Sequence, residues 1–350
     1  MSKQTHEGVI LLDPFPRPVD LIFSPQDKAR LASLGRVIWH DGSPAADGHI
    51  EHYLPETIAL IGQSTMNRAR LDRAPHLRVI ANVESNFLPN VDYAECHRRL
   101  IHVISTGPVF AQPVAEMALG MALSCARRIA QADAAVRAGT ESLYGEADNY
   151  DSFLVQGKTL GLLGCGNLGR ALLPLLRPFT KDIIVHDPWI HPTVLKSMDV
   201  QPVSVDELFA RSKIVFILSA ITTENQGVIG AKQFAALAKG SVVVLASRAS
   251  IVNFDDLLDA AASGHIRAAI DVFPDEPIPA NHRARSTPNT VLSAHRAGNV
   301  PEIWTDMGAM VVDDLELILK GLPPQRCQRA NLETVTRIRS KPAGDLKVKP

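Results

Sequence analysis

Residues Gly157 to Asp187, GKTLGLLGCGNLGRALLPLLRPFTKDIIVHD, contain the most informative structural pattern in this chain. It predicts an apolar strand over Thr159 to Leu163, then a helical run and a second apolar strand. Between the first strand and the helix lies a turn with the spacing GxGxxG, formed by Gly164, Gly166 and Gly169. In a mononucleotide-binding βαβ unit, such glycines permit a sharp turn, let the backbone approach a pyrophosphate and allow close packing of helix on strand.

The surroundings of the glycine turn predict which ligand it binds. The helix begins near Asn167, and the pyrophosphate of a dinucleotide would lie at its positive end, where backbone N–H groups lack partners. Asp187 comes eighteen residues after the last glycine and can accept hydrogen bonds from both hydroxyls of an adenosine ribose. Its charge would repel a 2′-phosphate, which favours NAD over NADP. The alternative is that the glycines only pack a helix on a sheet and that Asp187 only caps a turn.

Length and composition indicate a soluble globular chain. The 350 residues correspond to about two domains, and the hydrophobic content of 46% and charged content of 21% are ordinary. The formal net charge of −1 gives no electrostatic reason to expect nucleic acid or an anionic membrane as a partner, and no apolar run approaches the length of a membrane span. The N-terminus shows no signal-peptide pattern, so we expect a cytoplasmic protein.

The four cysteines predict neither a disulfide framework nor a metal site. They are scattered, with no CxxC pair and no metal-ligand spacing to histidine: Cys96, Cys125, Cys165 and Cys327. We expect buried thiols in a reducing compartment and no bound metal.

Apolar strand-like runs alternate with helical patterns along the chain, which predicts open parallel sheets. The predicted strands outside the glycine unit cover residues 8–12, 37–39, 57–61, 77–81, 101–104, 213–218, 241–245, 268–271 and 290–292. Three predicted helices begin at capping residues, namely Ser24, Ser204 with Glu207, and Asn253.

The sequence also predicts the character of two helical segments and of the C-terminal tail. The segment from Ser105 to Gly139 is apolar nearly all round up to Arg127, which is typical of a core helix or of a helix at an interdomain and subunit interface. Residues 301–320 predict one amphipathic helix. The basic tail from Arg326 is expected to be a loosely held, solvated extension.

Four polar residues follow apolar strands at the sheet edge that also carries the glycine turn: Arg248, Asp271, Glu276 and His295. In an open parallel sheet, ligands bind outside the carboxyl ends of the strands. Hydride chemistry on a carbonyl needs a histidine to donate and accept the proton, a carboxylate to orient it, and a guanidinium to grip a substrate carboxylate. Each residue also has an ordinary alternative, as a solvated or ion-paired arginine, part of an acidic turn, or a loop histidine.

With these residues in place, the chain resembles the D-isomer-specific 2-hydroxyacid dehydrogenase family over nearly its whole length. The matching motifs are, in order, VAEMALGMALSCAR, GKTLGLLGCGNLGR, VHDP, SVDELFARSKIVFIL, VVVLASRASIVN, AAIDVFPDEP and VLSAHRAG. The resemblance implies Arg248 as substrate clamp and Glu276 with His295 as the acid–base pair. It also implies a set of cofactor contacts: the backbone of Asn167 and Leu168 on the pyrophosphate, Asp187 on the ribose, Asp271 on the nicotinamide carboxamide, and Ala220 and Ala246 lining the cleft.

The same resemblance implies the architecture. An α/β chain with two open parallel-sheet domains is expected, in which a Rossmann-type NAD-binding domain at residues 109–298 is inserted in a flavodoxin-like substrate domain. The substrate domain would comprise residues 1–108 and a return helix and tail at residues 299–350. Members of the family usually form homodimers through the long helix, so a homodimer is expected.

One loop departs from the family pattern. Members usually carry a glycine-rich loop before an Asn-x-Asp, whose backbone amides help to hold the substrate carboxylate. Here the stretch is NVESNFLPNVD at residues 82–92, in which Asn90 and Asp92 remain and the glycines are replaced by Ser85, Asn86 and Phe87. Side chains there must fill space or change the loop geometry, so we expect a reshaped substrate pocket. Glu276 is retained, which disfavours formate dehydrogenase, where a glutamine is expected.

These observations predict an NAD-dependent oxidoreductase that interconverts a small-molecule D-type 2-hydroxy acid and its 2-oxo acid. One alternative is a dinucleotide-sensing binding protein, since some transcriptional corepressors resemble this family and act through partner binding. Another is a methyltransferase built on a similar sheet, which has no need for the set of Arg248, Glu276 and His295. The sequence does not identify which 2-hydroxy acid is used.

Overall fold

The structure is a computed structural model that describes residues 8–142 and 151–339. The chain divides into two compact units. Unit 1 is made of two separated parts, Met1–Phe110 and Val300–Pro350, and unit 2 is the continuous segment Ala111–Asn299 between them. Unit 2 is therefore an insertion in the chain of unit 1.

Unit 1 is built on a six-stranded sheet with the order β2-β1-β3-β4-β5-β13. Neighbouring strands are parallel except β13, which pairs antiparallel with β5. The strands are β1 (Val9–Asp13), β2 (Arg36–Trp39), β3 (Thr57–Gly62), β4 (Val79–Asn82), β5 (His102–Ser105) and β13 (Gln328–Arg329). The first five strands have the 2-1-3-4-5 order of flavodoxin-like sheets, which is the fold that the family resemblance implied for this domain.

The strands β1, β3 and β4 are buried along their whole length. This burial indicates that helices cover both faces of the unit 1 sheet. Ser24, Asn67 and Asp92 accept hydrogen bonds from backbone N–H groups as N-caps of three helices. The helices are α1 (Val19–Ile22), α2 (Pro25–Leu34), α3 (Asp47–Tyr53), α4 (Arg68–Asp72), α5 (Tyr93–Arg98), α13 (Pro301–Leu319) and α14 (Leu332–Val335).

The tail after α13 is packed, contrary to the expectation from its composition. Asp314, fully buried in α13, accepts hydrogen bonds of 2.7–3.1 Å from the backbone N–H groups of Gln325, Arg326 and Cys327. The chain then adds β13 to the sheet and forms α14. The prediction of a loose tail from Arg326 is therefore wrong for residues 326–339, because one buried carboxylate fixes the turn, and the rest of the tail lies outside the described residues.

Unit 2 contains a seven-stranded sheet with the order β8-β7-β6-β9-β10-β11-β12, in which all pairs are parallel. The strand order reverses between β6 and β9, which makes this the switch point of a Rossmann-type sheet. The strands are β6 (Leu160–Leu163), β7 (Ile183–His186), β8 (Gln201–Pro202), β9 (Ile214–Ile217), β10 (Ser241–Leu245), β11 (Ile266–Ile270) and β12 (Thr290–Leu292).

Two hydrophobic clusters cover the two faces of the unit 2 sheet, and helices supply much of both. The predicted capping box of Ser204 and Glu207 is present at the start of the helix Val205–Arg211. The helices are α6 (Ala111–Arg127), α7 (Ile129–Ala138), α8 (Asn167–Leu176), α9 (Pro192–Lys196), α10 (Val205–Arg211), α11 (Ala231–Ala236) and α12 (Phe254–Ala262).

The long apolar segment forms two helices. Arg128 has a left-handed backbone, with φ of 57°, and separates α6 from α7. The segment Gly107–Arg127 has the length and hydropathy of a membrane-spanning helix, but 44% of its most apolar window is buried inside the fold. Residues such as Ala115, Ala118 and Ala122 have at most 1% exposure, so α6 packs as a core helix.

The four cysteines are free and buried, as expected. Burial raises the pKa of the Cys125 thiol to about 12 and also raises the pKa of Cys165 within the glycine turn. These thiols therefore stay protonated at neutral pH. Within residues 8–142 and 151–339, no group of three or more histidine, cysteine or acidic side chains could hold a metal ion.

Candidate active site

The three glycines of the turn after β6 each occupy a different steric environment. A Cβ atom on Gly164 would lie 2.6 Å from the backbone of Ser219, and its φ of +95° also favours glycine. A Cβ atom on Gly169 would lie 2.7 Å from the carbonyl oxygen of Gly164, so this glycine allows α8 to approach the turn. Apart from its two chain neighbours, no described residue has an atom within 4 Å of a Cβ atom placed on Gly166.

Gly166 therefore faces open space at the start of α8. It is the N-cap of this helix and makes no side-chain capping bond. Because the turn lies at the switch point of the sheet and exposes the N-terminal end of α8, the residues present fit the pyrophosphate of a dinucleotide. Asn167 and Leu168 follow in the first turn of α8, at the positive end of the helix dipole.

Asp187 directly follows β7 and is partly exposed. Its Oδ2 accepts a 2.8 Å hydrogen bond from the N–H of Cys165, and its Oδ1 accepts a 2.9 Å bond from the N–H of Trp189. The first bond ties the carboxylate to the glycine turn. Each carboxylate oxygen can accept a second hydrogen bond, so the side chain still fits a ribose.

His295 and Glu276 are brought together by loops that follow the neighbouring strands β12 and β11. Nδ1 of His295 lies 2.6 Å from Oε2 of Glu276, and Oε1 of Glu276 accepts a 2.9 Å hydrogen bond from the backbone N–H of Phe273. Partial burial acts to raise the pKa of Glu276, but the hydrogen bonds from His295 and Phe273, together with the charges of His295 and Arg248, outweigh it and lower the pKa. The carboxylate is thus ionised at neutral pH and accepts the Nδ1–H of the ring.

Arg248 follows β10, which is the neighbour of β11. Its Nη1 donates a 2.7 Å hydrogen bond to the carbonyl of Ser247, and its charge helps to lower the pKa of Glu276. The guanidinium, the carboxylate and the imidazole therefore lie after three adjacent strands of one sheet. Of the two alanines predicted to line the cofactor cleft, Ala220 after β9 is exposed and Ala246 after β10 is buried.

Asp271 is turned toward the segment that carries His295. The residue has 0% exposure. Its carbonyl oxygen accepts a 2.7 Å hydrogen bond from the N–H of His295, and its carboxylate oxygens accept bonds of 3.0 and 3.2 Å from the N–H groups of Arg296 and Ala297. His295 itself has φ of +51° in the left-handed region, which costs roughly 1–2 kcal/mol for a residue with a side chain.

Comparison with known proteins identifies the family. The family model described as "D-isomer specific 2-hydroxyacid dehydrogenase, NAD binding domain" matches residues 119–297. A glyoxylate reductase of Thermofilum pendens is 32% identical over 73% of this chain and 76% of its own length. The chain belongs to the D-isomer-specific 2-hydroxyacid dehydrogenase family. The predicted family and its enzyme class, a nicotinamide-dependent oxidoreductase, are thereby confirmed.

Other members of the family show how far the likeness extends. A phosphoglycerate oxidoreductase from Rhizobium etli has a crystal structure that superposes with a TM-score of 0.83, at 40% identity, over 94% of this chain and 99% of that one. A D-3-phosphoglycerate dehydrogenase of Mycobacterium leprae is 29% identical over 87% of this chain. This chain spans only 57% of the length of that dehydrogenase.

Two features of this dehydrogenase-family site were not found from the sequence. Arg170 directly follows the third glycine, and its Nε donates a 3.2 Å hydrogen bond to the carbonyl of Cys165, which holds an exposed guanidinium beside the glycine turn. Its position next to that glycine was the available signal. The second feature is the hydrogen bond from the backbone N–H of Phe273 to Glu276. A backbone donor is present at nearly every residue, so the residue types do not predict this bond.

The loop that departs from the family pattern lies in unit 1. Ser85 and Asn86 are partly buried, whereas Phe87 is 4% exposed and makes an edge-on contact with Tyr93, with ring centroids 6.2 Å apart. Phe87 thus fills space in the unit 1 core. Asn90 stays in place by donating a 2.9 Å hydrogen bond from Nδ2 to the carbonyl of Gln63.

Proposed function

We propose that this protein is an NAD-dependent dehydrogenase that interconverts a D-2-hydroxy acid and its 2-oxo acid, with His295, Glu276 and Arg248 as its catalytic residues. The observation that carries the proposal is the 2.6 Å contact between His295 Nδ1 and Glu276 Oε2, at the sheet edge that also bears the glycine turn. An ion pair with a purely structural role could lie anywhere in the fold. An acid–base pair that acts on a substrate beside a dinucleotide must lie at the same sheet edge as the glycine turn.

Each of the three side chains has a role that follows from its chemistry. When bound, NAD would accept a hydride from the 2-hydroxy acid, and NADH would donate a hydride to the 2-oxo acid in the reverse direction. During reduction, His295 donates a proton from Nε2 to the carbonyl oxygen of the substrate, because Nδ1 is held by Glu276. The ionised Glu276 accepts the Nδ1–H and so orients the ring with Nε2 toward the substrate. Arg248 binds the substrate carboxylate with its planar fork and polarises the neighbouring carbonyl.

The cofactor contacts form the second part of the proposal. The glycine turn and the backbone of Asn167 and Leu168 would hold the pyrophosphate, and exposed Arg170 would add a positive charge. Asp187 would hold the adenosine ribose and disfavour NADP. Ala220 and Ala246 would line the cleft. A homodimer in the cytoplasm, with unit 1 as the substrate domain, completes the proposal.

Steady-state oxidation of NADH with a panel of 2-oxo acids tests the reaction. Glyoxylate, hydroxypyruvate, bulkier 2-oxo acids and phosphorylated ones cover the substrates that the names of the relatives indicate. NADPH in a parallel series tests the role of Asp187, and we expect a lower kcat/KM with NADPH. Binding of NADH without turnover of any acid in the panel would refute the proposed reaction and favour a dinucleotide sensor.

His295→Gln tests the role of the imidazole. Glutamine removes the proton donor, so we expect kcat to fall by about 10²- to 10⁴-fold, while NADH affinity, measured by quenching of nicotinamide fluorescence, stays near that of the wild type. His76→Gln is the matched control, because His76 is exposed in unit 1. Turnover that is unchanged in His295→Gln would remove this residue from the mechanism.

A further inference from the structure

One residue, Asp271, accepts the backbone N–H groups of the segment His295 to Ala297. Asp271 directly follows β11, and its own N–H donates a 3.0 Å hydrogen bond to the carbonyl of Leu245 in β10. This bond extends the sheet by one residue and fixes the backbone of Asp271. From that fixed point, the carbonyl and both carboxylate oxygens accept the N–H groups of three consecutive residues, His295, Arg296 and Ala297.

This arrangement accounts for the unusual backbone of His295. Successive N–H groups converge on an anion when one residue of the run is left-handed, and His295 has φ of +51°. A residue with a side chain keeps this conformation only if its surroundings hold it there. The contacts with Asp271 hold this stretch, because each backbone N–H from His295 to Ala297 is donated to Asp271.

The side chain of His295 has little packing of its own. It is 42% exposed, so its position depends on the backbone from which it extends and on the hydrogen bond to Glu276. If the backbone returned to an ordinary negative φ, the Cβ–Cγ direction would change and the ring would leave Oε2 of Glu276. The geometry of the acid–base pair therefore depends on the segment that Asp271 fixes.

We infer that Asp271 is a positioning residue, which holds the His295 segment in its left-handed conformation and so places the imidazole against Glu276. The expected effect on catalysis rests on the proposed function. The role of Asp271 in holding the backbone of His295 does not. This role is separate from the nicotinamide contact that family resemblance implies, because it is carried by the bonds of the fully buried carboxylate to the N–H groups of Arg296 and Ala297.

Asp271→Asn is the informative variant. The amide has nearly the same shape, but its NH₂ group must face one of the two N–H donors, which breaks one bond and leaves that donor unpaired. Displacement of a catalytic group by about 1 Å costs on the order of 100-fold in rate, so we expect kcat to fall by about 10- to 100-fold. NADH affinity should change by less than about twofold, since no contact with the cofactor is lost.

Asp314→Asn is the matched control. Asp314 is also fully buried and also accepts backbone N–H groups of three consecutive residues, but it lies in unit 1. A general loss of stability from an amide in such a site should affect both variants. Only Asp271→Asn should lower kcat per folded molecule.

The proton on Nδ1 of His295 gives a readout that needs neither cofactor nor activity. In ¹⁵N-histidine-labelled protein, this proton should resonate far downfield because it is shared with Glu276 Oε2 at 2.6 Å, and His295→Gln assigns it. We expect the signal to be lost or displaced in Asp271→Asn and retained in Asp314→Asn. If Asp271→Asn does not fold, amide hydrogen exchange in the wild type provides the test, because the N–H groups of Arg296 and Ala297 should exchange slowly although they belong to a loop.

The outcomes separate this inference from the proposed function. An unchanged His295 signal in Asp271→Asn, or fast exchange of both amides, would overturn the positioning role whatever the enzyme does. Weaker NADH binding with unchanged kcat at saturation would overturn it in favour of a cofactor contact. A wild-type protein that reduces no 2-oxo acid would refute the proposed function, and the downfield signal would still decide the role of Asp271.

Discussion

Replacement of Gly166 by alanine should weaken the binding of a dinucleotide without lowering the stability of the fold. Among the described residues other than its two chain neighbours, none has an atom within 4 Å of the new methyl group, and the φ of −72° lies outside the left-handed region that favours glycine. The free energy of unfolding without ligand should therefore stay within about 0.5–1 kcal/mol of the wild type, with any change toward higher stability, because alanine restricts the unfolded chain. The space that the methyl group enters is the space proposed for the pyrophosphate.

The magnitude of the effect on binding follows from that overlap. An extra carbon in a closely packed contact costs typically about 1–3 kcal/mol, which corresponds to a roughly 5- to 150-fold higher Kd for NADH. Titration with NADH, followed by nicotinamide fluorescence or calorimetry, measures the Kd. Denaturant unfolding of the protein without NADH measures the stability.

Gly169→Ala is the contrasting variant for the same two measurements. Its Cβ atom would lie 2.7 Å from the carbonyl oxygen of Gly164, so α8 or the turn must move. We expect a loss of about 1–3 kcal/mol in stability without ligand. NADH affinity equal to that of the wild type in Gly166→Ala would refute the assignment of the pyrophosphate to this turn. A large loss of stability in Gly166→Ala would contradict the open space around this residue.

Three further substitutions probe the other parts of the protein. Arg248→Lys should raise KM for the 2-oxo acid by at least about tenfold because a point charge cannot replace a planar fork, and an unchanged KM would argue against the clamp. The pKa of Glu276 is lowered on folding, so its carboxylate adds stability above the ordinary value of 4.5, and that stability is lost as pH falls through the lower folded value. The difference in unfolding free energy between wild type and Glu276→Gln should therefore be largest near pH 7 and shrink below pH 4.5, and a difference independent of pH would contradict this account. Phe87→Ala should lose about 3–5 kcal/mol in denaturant unfolding because Phe87 is buried against Tyr93, and a near-neutral effect would place the ring outside the core.

Much of the fold follows from local patterns that can be read along the chain. The strand from Ser241 to Leu245 and the capping box at Ser204 occur where the sequence predicts them, because apolar runs and caps act over a few residues. The spacing of the three glycines likewise predicts the tight turn between β6 and α8. Because the carboxyl ends of parallel strands meet at one edge, the residues that follow those strands can be assigned to one region without coordinates.

Other features depend on residues distant in sequence, and their partners could not be inferred. The tail after α13 has a basic composition typical of a solvated extension, yet Asp314 fixes its first turn and β13 pairs with β5. Phe87 stands where the family usually has glycine, and only the packing around it shows that the ring enters the core of unit 1. In both cases, a contact between separate segments outweighs the local composition.

The alternation of strands and helices, the glycine turn with Asp187, and the three types of side chain needed for hydride transfer to a carbonyl can all be read along the chain. The 2.6 Å distance from His295 to Glu276, the left-handed backbone of His295 and its bonds to Asp271 become visible only in the folded protein. This difference arises because the two kinds of feature act over different distances in the sequence. Helix and strand periodicity is encoded within a few residues, whereas a hydrogen bond between loops depends on where two distant strands end in space.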